Sequence, residues 1–248
     1  MFVPNAHDFM VVSFVFFVAG GVKGVLGMGL PTVAMGLLGL MMPVAEGAAL
    51  LFLPSLITNL WQMARGGHLR ALAWRLWPMM AGVCVGMWLG RGWMSAPAGN
   101  AMLWLGLCLV ACALAGLAGL HLPQPRARHE TAASGVVGGL TGLLTAATGV
   151  FVLPAVPYLQ ALGLKKDEMA QALGLSFTVS TLALAVTLAR SRHLNADSVT
   201  QSLLMLLPAL VGMWLGQNLR DELSQESFKT WLMGGLLALG AWLVWQRL

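Results

Sequence analysis

Hydrophobic residues form ten runs along the chain, separated by polar or glycine-rich breaks. The runs occupy residues 9–27, 30–42, 47–64, 72–92, 99–120, 131–147, 149–163, 169–190, 199–218 and 229–247. A helix needs about 20 apolar residues to cross a bilayer. Eight runs are close to that length, whereas 30–42 and 149–163 are too short for a comfortable span. We therefore predict an all-α integral membrane protein with broken or re-entrant helices at these two glycine-rich positions.

The composition supports a membrane protein and excludes a soluble domain. Hydrophobic residues make up 58% of the chain and charged residues only 9%, against about a quarter charged in soluble domains. The N-terminal MFVPNAHDF contains no Lys or Arg, so we interpret the first run as a membrane segment rather than a cleaved signal peptide. The lipid bilayer is one expected partner, and a bacterial inner membrane is the expected location.

The net charge of +5 does not indicate a nucleic-acid partner, because the basic residues lie in short gaps between apolar runs. This pattern is typical of cytoplasmic loops. Three cysteines, Cys84, Cys108 and Cys112, lie within apolar runs, and neither a CxxC motif nor His-rich spacing accompanies them. We expect them to be small packing residues, and we predict no metal and no cofactor.

The two halves of the chain resemble each other at three places in the same order. The matched segments are Gly21–Pro31 with Gly139–Gly149, Ala64–Leu69 with Ala189–Leu194, and GMWLG at Gly86–Gly90 with GMWLG at Gly212–Gly216. These matches predict an internal duplication. We place a first transmembrane repeat at residues 1–121, a polar connecting loop at 122–130 and a second transmembrane repeat at 131–248.

The number of segments and the loop charges predict that the second repeat is inverted. Five segments per half is an odd number, so the second copy would start on the other side of the membrane. With ten crossings, nine loop Lys and Arg residues fall on one side and four on the other; with eight crossings the split is eight against five. The positive-inside rule therefore favours inverted repeats with the N-terminus outside.

Lys23 is the only formal charge between Asp8 and Glu46. A lysine within a membrane segment is costly and marks a functional site by default. Two readings stay open: a charge that binds substrate, or a side chain that reaches the interface from the end of a helix. The second half has Thr141 at the equivalent position.

The glycine-rich breaks predict an anion-binding site. A half-helix that begins after a break points free N–H groups and a partial positive charge at that break. We expect two such breaks to face each other near the midplane. The alternative is close helix packing through small residues. The predicted substrate-binding residues are Lys23, Gly24, Gly27, Gly29, Thr141, Gly142, Thr145, Thr148 and Gly149.

Polar residues within two other apolar runs are candidates for the lining of a substrate pathway. Ser55, Asn59 and Gln62 can share one helix face, and Ser176 and Ser180 lie in the related run of the second half. The alternative reading is hydrogen bonding between helices or back to the residue's own backbone. His68 and His193 end the matched segments and could take part in proton coupling, since histidine changes charge near neutral pH.

These motifs resemble the TauE/SafE family of sulfite exporters and related permeases over nearly the whole chain. That family begins each half with a pattern like G-x-x-G-x-G-G-G-x-x-x-x-P. The first copy here keeps Gly24, Gly27 and Gly29 but has Gly36 where the proline is expected; the second keeps Gly142, Gly149 and Pro154 but has Thr145, Ala146 and Ala147. The Pro208, Gly212 and Gly216 helix, which parallels Pro78, Gly82 and Gly86, also looks like the family. The resemblance implies a secondary carrier of small sulfur-containing anions, such as sulfite or organosulfonates.

Other functions are less well supported by the residues. No P-loop, HExxH, GxSxG or paired-carboxylate motif occurs, so a membrane-embedded enzyme is the weakest alternative. A passive anion channel or a non-transporting membrane subunit would have the same composition as a carrier. A homo-oligomer is compatible with the sequence. The substrate, the coupling ion and the direction of transport are not encoded in any motif.

Overall fold

Ten α-helices and no strands make up the part of the chain that the computed structural model describes, residues 6–94, 98–119, 122–220 and 222–247. The helices are α1 (Ala6–Leu26), α2 (Leu30–Leu38), α3 (Val44–Ala64), α4 (Leu69–Leu89), α5 (Ala98–Leu117), α6 (Ala127–Thr148), α7 (Ala155–Ala161), α8 (Lys166–Arg190), α9 (Ala196–Leu219) and α10 (Gln225–Trp245). Eight of them are long and apolar enough to cross a bilayer, whereas α2 and α7 are not. The predicted all-α integral membrane protein is confirmed.

Helices α3 and α8 form the centre of the molecule. They pack against each other, α3 also packs against α9, and α8 also packs against α4. The outer helices present large apolar side chains outward, for example Trp231, Trp74 and Leu207. Without water on that surface, such side chains fit a lipid environment. Polar side chains on α3 and α8 therefore face other helices of the protein and not lipid.

The long helices run in two directions. Glu46 near the start of α3 lies beside Asn195 at the start of α9. Ser13 of α1 contacts Met205 of α9, and Gly24, further along α1, lies against Met213, further along α9. Helices α1, α3 and α9 therefore run in parallel. The opposite direction is taken by α4, α6 and α8. We name the side at the end of α3, which carries Arg65 and Lys165, the basic face, and the other side the opposite face.

Matched helices of the two halves make matched contacts. A Cβ on Gly24 of α1 would meet Met213 O of α9 at 2.3 Å, and a Cβ on Gly142 of α6 would meet Val83 O of α4 at 2.2 Å. Since α1 and α6 run in opposite directions, this exchange of partners supports the predicted inversion. The boundaries and the inversion of the repeats stay predictions.

The glycine contacts also correct one of the sequence matches. A Cβ on Gly86 would meet Gly139 O at 2.0 Å, and a Cβ on Gly216 would meet Gly21 O at 2.2 Å. Gly86 therefore corresponds to Gly216, as the Pro-Gly-Gly spacing of these helices indicates, and not to Gly212 as the repeated GMWLG suggests. The GMWLG alignment is therefore shifted by about one helical turn. Because glycine recurs every four residues in these helices, the shifted alignment still matches glycines on the same helix face.

The direction of α1 gives a testable topology. In a variant without native cysteines, His7→Cys and Glu46→Cys are expected to react with an impermeant thiol reagent from the same side of the membrane. Lys166→Cys is expected to react only from the other side, because α2 returns the chain to the face on which α1 began. Labelling of His7→Cys and Lys166→Cys from one side would contradict the arrangement of the helices.

Candidate functional site

The first glycine-rich break ends α1 and starts α2. Gly27 and Gly29 have φ angles of +74° and +103°, a left-handed region that glycine enters without the penalty of a Cβ. The series of helical bonds in α2 begins with Val33 N–H donating to Gly29 O at 2.9 Å. Pro31 lies in the first turn, where its missing N–H costs nothing. The N-terminus of a nine-residue helix therefore begins inside the protein.

The second break follows α6 at Gly149, whose φ angle is +71°. The hydroxyls before it are directed at their own helix: Thr141 donates to Val137 O at 2.8 Å, Thr145 to Thr141 O at 2.7 Å and Thr148 to Leu144 O at 2.7 Å. Their protons are thus already used by the backbone, which is the alternative that the sequence left open. The three residues are close together and buried, but their hydroxyl groups are not free to donate to a substrate.

The two breaks begin at different depths in the protein and not opposite each other at the midplane. Gly27 O accepts a hydrogen bond from Gln62 near the end of α3, whereas Gly149 packs against Ala48 near its start. The rise of an α-helix puts Ala48 and Gln62 about 20 Å apart. The sequence predicted two symmetrical breaks. In the structure the second break is an extended stretch that begins near the opposite face.

Two of the predicted binding glycines lie in helix crossings. A Cβ on Gly24 would also meet Gln217 N at 2.8 Å, and one on Gly142 would meet Met87 N at 2.8 Å. These distances leave no room for a substrate between the helices. Gly24 and Gly142 therefore have the packing role of small residues in membrane helices, and only Gly27, Gly29 and Gly149 lie at breaks.

A proline in the middle of α3 organises the polar centre of the protein. Pro54 has no N–H, so the carbonyl of Leu50 loses its helical donor. Ser202 of α9 donates to Leu50 O at 2.8 Å and accepts from Leu53 N–H at 2.9 Å. In a membrane such freed backbone groups need a partner inside the protein. Thr58 in turn donates to Pro54 O at 2.6 Å.

Lys23 lies in this polar centre. Its side chain is only 4% exposed, and Nζ donates to Asn59 Oδ1 and, at 3.1 Å, to Thr58 Oγ1. Asn59 Nδ2 donates to Ser55 Oγ at 3.1 Å, and Ser55 Oγ lies 3.3 Å from Thr181 Oγ1. We call these five residues, Lys23, Ser55, Thr58, Asn59 and Thr181, the Lys23 cluster.

The ammonium of Lys23 is buried among neutral groups. In the described part of the chain no carboxylate lies within ion-pair distance of its Nζ. Removing an unpaired charge from water costs several kcal/mol, and neutral amide and hydroxyl acceptors replace only part of the lost solvation. A side chain that reached the interface would avoid this cost, so the structure does not support the snorkelling reading of Lys23.

A cavity of about 370 Å³ opens from the basic-face half of the protein. It lies between α2, α5, α7 and α10, and both breaks contribute to its wall, through Gly29 and through Val152 and Leu153. Gly27 is about one helical turn from Lys23 on α1. The cavity therefore ends close to the Lys23 cluster but does not include it.

Towards the opposite face the cluster is closed. The gap beyond Ser55 and Thr181 is only about 10 Å³ and is bordered by Phe151, Leu184 and Leu188. A volume of this size is at the lower limit for one water molecule. The cluster thus borders a packed layer towards the opposite face, and the cavities on that face, of about 440 Å³ near Arg190 and about 320 Å³ near His193, are lined by none of the cluster residues.

The remaining predicted pathway residues lie around the cluster and not in it. Gln62 donates to Gly27 O at 3.0 Å and to Ala170 O at 3.1 Å, so it ties the first break to α8. Ser176 is buried with a hydroxyl that has no partner in the described structure. Ser180 is buried as well, but its neighbour Thr181 makes the contacts to α3.

Sequence reasoning missed Ser202 of the polar centre. Thr58 and Thr181 lie in the two polar runs that the sequence marked as candidate pathway lining, although neither was among the residues singled out as site residues. For Ser202 the signal was Pro54, because a proline inside a membrane helix implies a donor on a neighbouring helix.

Comparisons with known proteins agree with this architecture. The model of one protein family, described as Sulfite exporter TauE/SafE, matches residues 12–243. Curated proteins and solved structures gave no match. The match includes all ten helices, apart from the first residues of α1 and the last residues of α10. The chain therefore belongs to the TauE/SafE family of sulfite exporters and is a multi-pass membrane transporter of that family.

Proposed function

We propose that the protein is a secondary transporter that moves sulfite or a small organosulfonate by alternating access, with Lys23 as the central substrate-binding charge. The family supplies the class of substrate, and the Lys23 cluster supplies a chemical reason for it. Sulfite and sulfonate groups carry negative charge and several acceptor oxygens. A buried ammonium beside amide and hydroxyl groups complements both properties.

The observation that carries this proposal is the buried ammonium without a carboxylate partner. A bound anion would provide the missing counter-charge, so its binding would offset the cost of burying Lys23. The same asymmetry disfavours a cation as substrate. Thr58 and Asn59 would then orient the anion or hold Lys23 in the absence of substrate, because both already bond to Nζ.

The cavity and the packed gap fit one end state of an alternating-access cycle. In this state the substrate enters from the basic face, which we place at the cytoplasm of a bacterial inner membrane. To reach Lys23 it passes Leu26–Gly29, where Gly27 and Gly29 form the hinge. Opening of the Phe151, Leu184 and Leu188 barrier would then connect Lys23 to the opposite face.

We also propose that transport is coupled to protons, with His68 on the basic face and His193 on the opposite face as the proton carriers. His68 Nδ1 lies 4.0 Å from Glu168 Oε1, and His193 Nδ1 lies 3.0 Å from Ser191 Oγ. A homo-oligomer would leave this path intact, because the cluster lies inside one chain.

An internal carboxylate at the cluster tests the role of Lys23. Asn59→Asp places a carboxylate where the amide oxygen now accepts from Nζ, so the protein supplies its own counter-charge. We expect sulfite affinity to fall at least tenfold, while the thermal stability of the purified protein is maintained or rises. Uptake into proteoliposomes and a melting curve measure the two effects.

The matched control is Asn59→Ser, which keeps a neutral acceptor and adds no charge. It is expected to retain much more affinity than Asn59→Asp. If both variants lost sulfite affinity equally, the shape of Asn59 and not the charge balance of Lys23 would govern binding, and the proposed role of the ammonium would be wrong.

A further inference from the structure

A cavity of about 440 Å³ lies between the ends of α4 and α8 on the opposite face. Arg91, in the turn after α4, and Arg190, the last residue of α8, both line it. Because both arginines lie at the ends of membrane-spanning helices, they are at the level of the lipid headgroups on that face. Only four basic loop residues lie on this face, so half of them border a single cavity. We call this cavity the Arg91/Arg190 groove.

The groove opens towards lipid and not towards the substrate pathway. Cys84 and Trp88 of α4 line it and are exposed, and Val186 of α8 is 55% exposed. The residues of α8 that line the groove are Ala183, Val186, Thr187 and Arg190, whereas Thr181, Leu184, Ala185 and Leu188 line the gap beside the Lys23 cluster. At 3.6 residues per turn, these two sets lie on opposite sides of α8. The groove therefore belongs to the outer surface of the protein, where the bilayer fills it.

The two guanidinium groups carry positive charge that the protein does not balance. In the part of the chain that the structure describes, no carboxylate lies within ion-pair distance of Arg91 or Arg190, and no Asp or Glu lines the groove. The Arg91 Cζ atom lies 4.5 Å from the centroid of the Trp88 ring. This contact holds one guanidinium at the edge of the groove without neutralising it. The groove thus combines two positive groups at headgroup depth with an apolar wall below them.

We propose that the Arg91/Arg190 groove binds an acidic phospholipid, whose phosphate contacts the two guanidinium groups and whose acyl chain lies along Cys84, Met87 and Val186. Guanidinium groups match the oxygens of a phosphate with paired hydrogen bonds. Two uncompensated positive charges favour a lipid with a net negative charge over a zwitterionic one. The proposal does not depend on which substrate the protein transports.

A native cysteine can report on lipid in the groove. Cys84 lies about 10 Å from Arg91 along α4, at acyl-chain depth, so a chain in the groove covers its thiol. The test uses the full-length protein with Cys84 as its only cysteine (Cys108→Ala, Cys112→Ala) in detergent. The rate of its reaction with N-ethylmaleimide is measured by mass spectrometry during titration with dioleoylphosphatidylglycerol or dioleoylphosphatidylcholine, which have the same acyl chains.

Phosphatidylglycerol is expected to protect Cys84 at a concentration at least about tenfold lower than phosphatidylcholine. Arg91→Gln and Arg190→Gln should each raise the half-protective concentration of phosphatidylglycerol about fivefold, the usual contribution of one basic residue to acidic-lipid binding. Replacing both arginines with lysine should keep most of the preference, which separates loss of charge from a folding defect. Arg247→Gln is the matched control, because Arg247 is exposed near the end of α10 and does not line the groove.

Four results would overturn the lipid site. Equal protection by the two lipids would remove the role of charge, and so would an unchanged preference after both arginines are replaced with glutamine. An equal loss of preference in Arg247→Gln would indicate general attraction to the protein surface. Protection by sodium methanesulfonate alone, as strong as that by phosphatidylglycerol, would make the groove a site for free anions.

Discussion

Replacing Lys23 with methionine is expected to reduce saturable sulfite uptake by at least about 30-fold while the protein stays folded. Truncating one partner of a buried charge pair costs about 2–5 kcal/mol of binding, and each 1.4 kcal/mol is about tenfold. Methionine has a similar length and no charge. Replacing a buried charge by an apolar side chain of similar volume is often neutral or stabilising, so the loss should appear in transport and not in the melting temperature.

Lys166→Met is the matched control for this substitution, because Lys166 is exposed at the start of α8. It removes the same charge from a solvated position and should leave uptake near the native level. If Lys23→Met were folded and transported sulfite at the native rate, Lys23 would be a structural residue and the binding site would lie elsewhere. Both variants are compared by initial uptake rates at several sulfite concentrations.

The second large effect is expected from alanine at the two corresponding glycines of the helix crossings. In Gly86→Ala and Gly216→Ala the new Cβ would lie 2.0 Å and 2.2 Å from a backbone oxygen of the facing helix. The helices must separate, so each variant should lose about 1–3 kcal/mol of stability, the usual range for overpacking. Thermal unfolding in detergent measures the loss.

Gly234→Ala and Gly235→Ala provide the controls, since a Cβ at either glycine of α10 has no neighbour within 4 Å. These changes should be neutral or slightly stabilising, because alanine is the better helix former. Equal losses at Gly86 and Gly216 are expected from the correspondence of the two crossings. Unchanged stability in both would show that the helices are farther apart than the structure has them.

Much of the fold could be predicted because membrane helices are defined by length and polarity. The eight long apolar runs became helices, and the runs 30–42 and 149–163 became the short helices α2 and α7. Glycines at Gly27, Gly29 and Gly149 marked where the chain leaves helical geometry. These features are local, so the residues alone determine them.

The arrangement of the site depends on three-dimensional contacts, and the sequence could predict it only in part. Lys23 stood out as a lone charge, but its bonds to Thr58 and Asn59 depend on how α1 crosses α3. Gly24 was indistinguishable from Gly27 in sequence, yet one packs against α9 and the other forms the break. Only the structure shows that the Thr32 hydroxyl has no hydrogen-bond partner among the described residues.

The repeated motifs were informative but insensitive to register. The repeated GMWLG aligned Gly86 with Gly212, whereas the helix contacts show that Gly86 is equivalent to Gly216 in the second half. A helix with glycine at every fourth residue looks alike after a shift of one turn, so letters alone cannot fix the alignment. The same insensitivity explains why symmetrical breaks were expected and an extended second break was found.

The concentration dependence of sulfite uptake by the purified native protein in proteoliposomes tests the central claim most directly. A carrier with a charged site predicts saturable uptake that small sulfonates inhibit and that equimolar alkali cations do not. Uptake that rises linearly without saturation would indicate a passive channel. No uptake of sulfite or of any small sulfonate, by protein that is folded and inserted, would contradict the account of this protein as a transporter of sulfur-containing anions.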